Sequence, residues 1–249
     1  MAIAFSNLGI SANPDINSTT DANSYANSSW TPPTAGLIIV FVTSKLNAGP
    51  EAPTISGNDL TWTQIATVRD PTDDFRITLF GANASGSAAG VTTVDFGGVT
   101  QGGCNASFFL ATGVDLSVSV AAAFVQAPTS NGTGTSASVT LAAAGSADNR
   151  PIAGTVVEVN AALAERANWT EADGFNNTTA NMGSMNTQWR DDAFETTASA
   201  TWDGSSVPWG MIAAELKVEV AGGRTTKNIH PWHFGISHGM GHGMPGGQV

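Results

Sequence analysis

Short runs of β-branched, aromatic and other apolar residues, separated by clusters of Gly, Asn, Asp and Pro, recur along almost the whole chain. Residues 37–44, 76–82 and 106–111 are examples. Helical spacing of apolar residues is confined to residues 161–167, which would form barely two turns. Runs of this length, bounded by turn-forming residues, are typical of a protein made of many antiparallel strands. The sequence therefore predicts an all-β fold.

Alternation within these runs sets the expected strands. Every second residue from Leu60 to Val68 is expected on one face of a strand, as is every second residue from Phe75 to Leu79. Two prolines at residues 32–33 predict a turn before the apolar run that follows. After a short opening strand at residues 2–5, about eleven strands are expected: 37–44, 60–68, 76–82, 91–96, 106–111, 116–120, 136–141, 151–160, 184–189, 198–202 and 208–220. Turns are expected at 47–53, 97–103, 129–134 and 172–178.

The chain of 249 residues is expected to contain one β-sandwich domain, residues 1–220, followed by an extended Gly- and His-rich C-terminal arm, residues 221–249. Two packed antiparallel sheets are the usual arrangement for this number of strands. Strand spacing does not distinguish a jelly roll from an immunoglobulin-like sandwich. Because Cys104 is the single cysteine, the disulfide-bonded immunoglobulin pattern is excluded.

Charge limits the classes of partner. All 20 acidic residues and seven of the nine basic residues lie in residues 1–220, which gives this part a net charge of 7 − 20 = −13. A nucleic-acid-binding surface needs a basic stripe, so no nucleic-acid partner is expected. The longest apolar run, residues 37–42, is too short to span a membrane, and no secretion signal is expected at the N-terminus.

The inventory of reactive side chains predicts no catalytic residue, no cofactor and no metal site. Cys104 is expected to be a small buried apolar residue, because residues 1–220 contain no His to activate it. Residues 1–220 contain no nucleophile-elbow motif, and no nucleotide-binding fold is indicated. The chain is therefore expected not to be an enzyme.

Carboxylate clusters offer the remaining candidates for chemistry. They comprise Asp70, Asp73 and Asp74 in one loop, Asp191 and Asp192 beside Arg190, and Glu171 and Asp173 on either side of Ala172. A hydrolase needs two carboxylates at a set separation, and a Ca²⁺ site needs several oxygen ligands. Asp is also an ordinary turn residue, and that interpretation is favoured for each cluster.

Five tryptophans are expected to pack in one core. No exact repeat is evident, but residues 61–68 (TWTQIATV), 168–175 (NWTEADGF) and 200–206 (ATWDGSS) share Trp next to Thr or Asp. Burial of an aromatic side chain stabilises a fold by roughly 2–3 kcal/mol. The alternative is an exposed aromatic platform that binds sugars. The five residues are Trp62, Trp169, Trp189, Trp202 and Trp209.

The arm differs chemically from the preceding residues. It contains all four His, Arg224 and Lys227, and no acidic residue. Gly and Pro recur through it, so it is expected not to fold alone. An acidic surface of a neighbouring subunit would attract it, with the large aromatics as buried anchors. The predicted partner-anchoring residues are Arg224, Lys227, His230, Trp232, His233 and Phe234, and a metal bound by the His and Met residues is the less favoured alternative.

Four phrases of the chain resemble a known group of domains. They are LTWTQIATV (60–68), RITLFGANASGSAAGVTTVDFGG (76–98), ASFFLATGVD (106–115) and SATWDGSSVPWGMIAAELKVEV (199–220). Together they resemble the jelly-roll-like β-sandwich domains of tailed-phage virion proteins, over about residues 30–220. The resemblance implies a head decoration, a head spike or fibre, or a receptor-binding module. The shared phrases are core strands, so no functional residue is carried over.

Together these observations predict a non-enzymatic structural subunit of a phage-like virion. Its partners would be copies of itself, in a cyclic homo-oligomer such as a trimer or pentamer, and other virion proteins. The alternative is a carbohydrate-binding module for host attachment, with a host-surface glycan as its partner.

Overall fold

The described residues of the chain fold into two repeats of nine strands whose sheets have the same strand order. The computed structural model describes residues 2–11, 14–47, 49–84, 86–175 and 182–220. Every strand pair within them is antiparallel. The all-β sandwich is therefore confirmed, whereas the jelly-roll topology stays a prediction.

The first repeat consists of a six-stranded sheet and a three-stranded sheet. Its strands are β1 (Ala4–Asn7), β2 (Ile16–Ser18), β3 (Ser24–Ala26), β4 (Leu37–Lys45), β5 (Thr54–Gly57), β6 (Trp62–Arg69), β7 (Phe75–Asn83), β8 (Thr92–Asp95) and β9 (Gly103–Thr112), with one helical turn α1 (Leu8–Ser11) after β1. The larger sheet has the order β1-β9-β4-β7-β6, and β2 pairs with β9. The smaller sheet has the order β3-β8-β5.

The second repeat follows after a 3₁₀ turn at Ala121–Ala123. Its strands are β10 (Phe124–Gln126), β11 (Thr129–Gly134), β12 (Ser136–Thr140), β13 (Arg150–Val157), β14 (Leu163–Glu165), β15 (Thr170–Phe175), β16 (Ser184–Trp189), β17 (Thr197–Trp202) and β18 (Val207–Leu216). The larger sheet has the order β10-β18-β13-β16-β15, and β11 pairs with β18. The smaller sheet has the order β12-β17-β14.

Adding nine to each strand number of the first repeat reproduces both sheet orders of the second. A local feature supports this correspondence. The pairing of β6 with β7 shifts between Gln64 and Ala66, and that of β15 with β16 shifts between Glu171 and Asp173. Each bulge begins at the third residue of a Trp-Thr-Gln or Trp-Thr-Glu triplet, at 62–64 and 169–171. Two of the three Trp-containing phrases of the sequence therefore occupy equivalent strands, β6 and β15, in the two repeats.

The four sheets stack as four layers, with the two six-stranded sheets in the middle. The central core lies between the larger sheets and contains side chains of both repeats, among them Ile39, Leu79, Phe109, Ile152, Trp189 and Ile212. A second core lies between the larger and smaller sheets of the first repeat, with Val40, Phe80, Val94, Phe96 and Phe108. A third occupies the same place in the second repeat, with Val139, Val157, Leu163, Trp202 and Met211. Both faces of β4 and β13 are buried, which explains their nearly continuous apolar sequence.

Aromatic rings join the repeats across the central core. The indole of Trp189 in the second repeat lies 5.3 Å from the ring of Phe5 and 5.4 Å from that of Phe109, centroid to centroid, and both phenylalanines belong to the first repeat. Phe41 packs directly on Gly154, where a Cβ atom would overlap its ring. These contacts make the two repeats one packed body.

Several local predictions were confirmed. The strands expected at 37–44, 76–82 and 184–189 are present as β4, β7 and β16. The expected common face of every second residue from Phe75 to Leu79 is also present, since these side chains lie in the central core. Cys104 is fully buried in β9, as expected.

Other local predictions were wrong. The best helical candidate, residues 161–167, contains strand β14 instead, whose Leu163 side chain enters the third core. Residues 116–120 form no strand. The turn expected at 129–134 is strand β11, and the described part of the turn expected at 172–178 belongs to β15. The common face expected from Leu60 to Val68 is broken by the bulge, which places Leu60 and Trp62 against the second core and Val68 against the central one.

The tryptophans do not share one core. Trp189 lies in the central core, Trp62 packs against the second, and Trp169, Trp202 and Trp209 lie in the third. Expected burial is confirmed for four of the five, and Trp62 is half-buried. No indole of the described residues is exposed, so they offer no open aromatic platform.

Candidate functional site

A cavity opens at one edge of the stack, between the connection from β1 to β2 and strand β15. We call it the seam cavity, because one wall belongs to the first repeat and the other to the second. Its volume is about 740 Å³. The lining combines carboxyl, amide and apolar groups: Asn7, Gly9, Asp15, Asn17, Ala162, Leu163, Glu171, Ala172, Asp173, Gly174 and Phe175. No Lys or Arg is among these lining residues.

The wall of the first repeat depends on the connection between β1 and β2. Eight residues, 8–15, separate these strands, whereas two, 127–128, separate the corresponding β10 and β11. The longer connection brings Asp15 back onto β9, where its Oδ1 accepts a hydrogen bond of 2.9 Å from the Phe108 backbone N–H. Gly9 lies so close to this carboxyl that a Cβ would overlap it. The longer connection in the first repeat thus places the carboxyl group of Asp15 in the cavity.

Strand β15 forms the wall of the second repeat, and its bulge lies between Glu171 and Asp173. Both of these residues line the cavity. Glu171 accepts a hydrogen bond of 2.9 Å from Asn186 Nδ2, and Asp173 Oδ1 accepts one of 2.9 Å from the Gly174 N–H. Asn7 Nδ2 also donates to the Ala172 carbonyl, which joins β1 to β15.

Electrostatics couple the two walls. Burial, a hydrogen bond to Asp173 and the Asp173 charge together raise the pKa of Asp15 from 3.8 to about 8, with burial the largest cause, while the Phe108 N–H opposes the change. Burial is also the largest cause of the raised pKa of Glu171, partly offset by its bond to Asn186. At neutral pH the protonated form of Asp15 is therefore favoured, and it can donate a hydrogen bond across the seam to a side-chain oxygen of Asp173.

At the corresponding edge on the other side of the stack, the two repeats are in direct contact. There β11 packs against β6, and Asn131 Nδ2 donates a hydrogen bond of 2.8 Å to the Arg69 carbonyl. In this second seam an amide donor from one repeat reaches the backbone of the other. The seam cavity and this second seam lie at corresponding edges of the two repeats.

A second charged group lies on the outer surface of the second repeat. Glu195 accepts hydrogen bonds from Arg166, Arg190 and the indole N–H of Trp169, the last at 3.0 Å. Burial alone would raise the pKa of Glu195, but these three donors outweigh it and the pKa is lowered. Arg190 also pairs with Asp192 at 2.8 Å. The cluster therefore holds the segment before β17 onto the third core.

The Asp70–Asp74 loop is a turn. Asp70 Oδ1 accepts hydrogen bonds from the N–H groups of Asp74 and Phe75, at 2.9 and 2.8 Å. Asp73 has a positive φ of 63° and pairs with Arg69 at 2.7 Å. Within the described ranges, no group of three His, Cys, Asp or Glu residues is placed to hold a metal ion. The favoured interpretation of this loop as a turn is confirmed.

The remaining candidates from the sequence fall into two classes. Cys104 lies in the second core, and burial raises the pKa of its thiol well above the ordinary value, so the reactive thiolate is disfavoured. The predicted anchoring residues Arg224, Lys227, His230, Trp232, His233 and Phe234 lie outside the described residues. Their proposed role stays a prediction.

The sequence indicated two of the three carboxyl groups of the seam cavity, those of Glu171 and Asp173. Residues two apart in a strand normally share a face, but this spacing does not indicate the third carboxyl. Asp15 was missed, because in sequence it is one Asp in a polar segment, and its partner is 158 residues away. The available signal was the shared Trp-Thr-Gln and Trp-Thr-Glu triplet, which marks the same bulge in both repeats.

Comparison with known proteins adds no further constraint. No protein-family model, no curated protein and no solved structure matches the chain. Within the part of the chain that the structure describes, no helix has the length and apolar character needed to cross a membrane.

Proposed function

We propose that the chain is a non-enzymatic structural subunit of a phage-like virion, such as a head decoration, a spike or a fibre-base protein. One observation carries the proposal. A fully packed, acidic body of two repeats is followed by a segment of opposite charge that contains Trp232 and Phe234 but no acidic residue. Such a division suits a rigid building block with an attachment segment.

The contacts of the polar side chains support a structural role. Asp70 holds a turn, Glu195 joins two arginines to an indole, and Arg69 pairs with Asp73. Cys104 is shielded in a core. Groups that otherwise suit catalysis therefore have identified structural contacts. The resemblance of the strand phrases to virion domains agrees with this proposal.

Carbohydrate binding through an aromatic platform is the weaker alternative. The six described indoles are Trp30, Trp62, Trp169, Trp189, Trp202 and Trp209, and none of them is exposed. Their aromatic faces contribute instead to the three cores. A glycan would have to be bound through polar side chains alone.

The structural proposal predicts that the arm is needed for assembly. The full chain is expected to form a cyclic homo-oligomer at micromolar concentration, measured by light scattering. Truncation after Val220 and the Trp232→Ala variant should both shift the distribution to monomer, because the aromatic anchor contributes most of the interface energy. Circular dichroism provides the control that the body remains folded.

Imaging of intact particles tests where the chain lies on the virion. Particles produced without this chain should lack one surface feature that reappears when the chain is restored. If the full chain stays monomeric, or if both variants assemble and load as well as the full chain does, the proposed function is wrong.

A further inference from the structure

We propose that the seam cavity is the receiving site for the basic segment 224–227 of a neighbouring copy of this chain. This inference rests on the proposed function, to which it adds the surface that the arm contacts. The proposed bound group is the guanidinium of Arg224 or the ammonium of Lys227 from another subunit.

Charge complementarity is the first support. Three carboxyl groups, those of Asp15, Glu171 and Asp173, line the cavity without a basic residue among the lining side chains. The arm has a charge of +2 without an acidic residue. A cation that enters the cavity would contact side-chain oxygens of Asp173 and would favour the ionised form of Asp15. The arm is therefore the part of this chain best matched to the site by charge.

The shape of the cavity is the second support. Its volume of about 740 Å³ is in the range of sites that enclose a large side chain or a short peptide segment. Leu163, Ala172 and Phe175 form an apolar wall beside the carboxyl groups. The methylene stem of Arg or Lys can pack on such a wall while its charged end contacts the carboxylates.

The hydrogen bond at the second seam is the third support. There a side-chain N–H of Asn131 crosses from one repeat to the backbone of the other. The seam cavity presents acceptors in the corresponding place, including the carboxylate oxygens of Glu171 and Asp173. A donor from another chain would close this edge in the manner in which Asn131 closes its counterpart.

Chain length makes the contact accessible. Val218 pairs with Val114, which lies six residues along the chain from Phe108, the backbone contact of Asp15. That separation is about 20 Å in a strand. Arg224 follows Val218 by six residues, a reach of at most about 20 Å, and the whole arm of 29 residues reaches up to about 100 Å. The arm is therefore long enough to reach a seam cavity, and the mixing experiment distinguishes the cavity of its own copy from that of a neighbour.

Each copy then carries one acceptor, the seam cavity, and one donor, the arm. A donor and an acceptor on different surfaces form a heterologous interface, which closes into a ring when the rotation permits. This arrangement accounts for the cyclic oligomer proposed above without a self-complementary surface.

A mixing experiment with two full-length variants tests the inference. The donor variant carries Glu171→Gln with Asp173→Asn and keeps its arm. The acceptor variant carries Arg224→Glu with Lys227→Glu and keeps its cavity. Each variant alone is expected to associate about tenfold to a hundredfold more weakly than the natural chain, because one side of the charged contact is removed. In an equimolar mixture, one donor variant should associate with one acceptor variant. Sedimentation and native mass spectrometry measure the resulting pairs.

The control removes the same charge from another part of the second repeat. Asp148→Asn with Asp203→Asn changes two exposed carboxylates outside the cavity lining and should leave association unchanged. Thermal unfolding of each variant checks that the body is intact. The contact should also weaken at high ionic strength, because part of it is exposed to solvent.

The outcomes separate this inference from the proposed function. If the donor variant assembles as well as the natural chain while loss of the arm abolishes assembly, the arm docks elsewhere and only this inference fails. If both variants fail alone and the mixture also fails, the arm contacts the cavity of its own copy and the neighbouring copy is the wrong occupant. If loss of the arm has no effect, the anchor proposal fails as a whole.

Discussion

Replacement of Asp15 by Asn is expected to remove most of the pH dependence of stability between pH 5 and pH 9. In the folded chain the pKa of Asp15 is raised to about 8, mainly by burial, from an ordinary value of 3.8. The stabilising contribution of its protonated form is therefore complete below about pH 4 and is lost as the pH rises through 8. The natural chain should lose stability over this range, relative to the variant.

The size of this effect follows from the pKa. Each pKa unit corresponds to about 1.4 kcal/mol, so the three pH units from 5 to 8 set an upper limit of about 4 kcal/mol. Water entry into the opened seam reduces this value, and we expect about 2–4 kcal/mol. Asn reproduces the protonated carboxyl, since its Nδ2 can donate to Asp173 and its Oδ1 can accept from the Phe108 N–H.

Urea unfolding at pH 5, 7 and 9 measures the difference between the natural chain and Asp15→Asn. The exposed Asp203→Asn provides the matched control, and it should follow the natural chain at every pH. A difference between Asp15→Asn and the natural chain that stays constant from pH 5 to pH 9 would show that Asp15 does not titrate in this range.

Trp189→Ala is expected to lower the free energy of unfolding by about 3–5 kcal/mol, the usual cost of removing a large aromatic from a core. The indole stacks on Phe5 and contacts Phe109, both from the other repeat. Its removal leaves a cavity between two sheets that are held by their strand pairs and cannot collapse freely. The Trp189→Ala substitution should therefore destabilise both repeats.

Guanidinium unfolding monitored by circular dichroism measures this loss. Val118→Ala is the control, because Val118 is 78% exposed and its truncation should change the stability by less than about 0.5 kcal/mol. A loss below about 1 kcal/mol for Trp189→Ala would contradict the packing of the repeats through this residue.

The sequence predicted the strands that are buried on both faces better than the edge strands. β4 follows from an apolar run with clear bounds, and every second residue from Phe75 to Leu79 faces the central core. β11 was mistaken for a turn because its sequence, TSNGTG, consists of turn-forming residues. It is a strand because it pairs with β18 along its whole length, a contact that local preference does not encode.

The repeat could not be seen as an exact sequence match, because the cores of the two halves use different side chains. Phe41 fills a space in the central core that Gly154 of the opposing β13 leaves open. The second core uses Phe96 and Phe108, whereas the third uses Trp202 and Met211. Pairing order, rather than residue identity, is what the two halves share. The seam cavity was hidden for the same reason, since it joins Asp15 to a strand of the other repeat.

Hydrogen exchange of the full chain under increasing denaturant tests most directly whether the two repeats form one packed body. We expect the amides of β4 and β13, which occupy the same place in the two repeats, to open together with the same free energy. We also expect Trp189→Ala to lower the protection of β9 in the first repeat and of β16 in the second by the same amount. If one repeat exchanges at a much lower denaturant concentration while the other remains protected, the repeats are independent units and do not form one packed body.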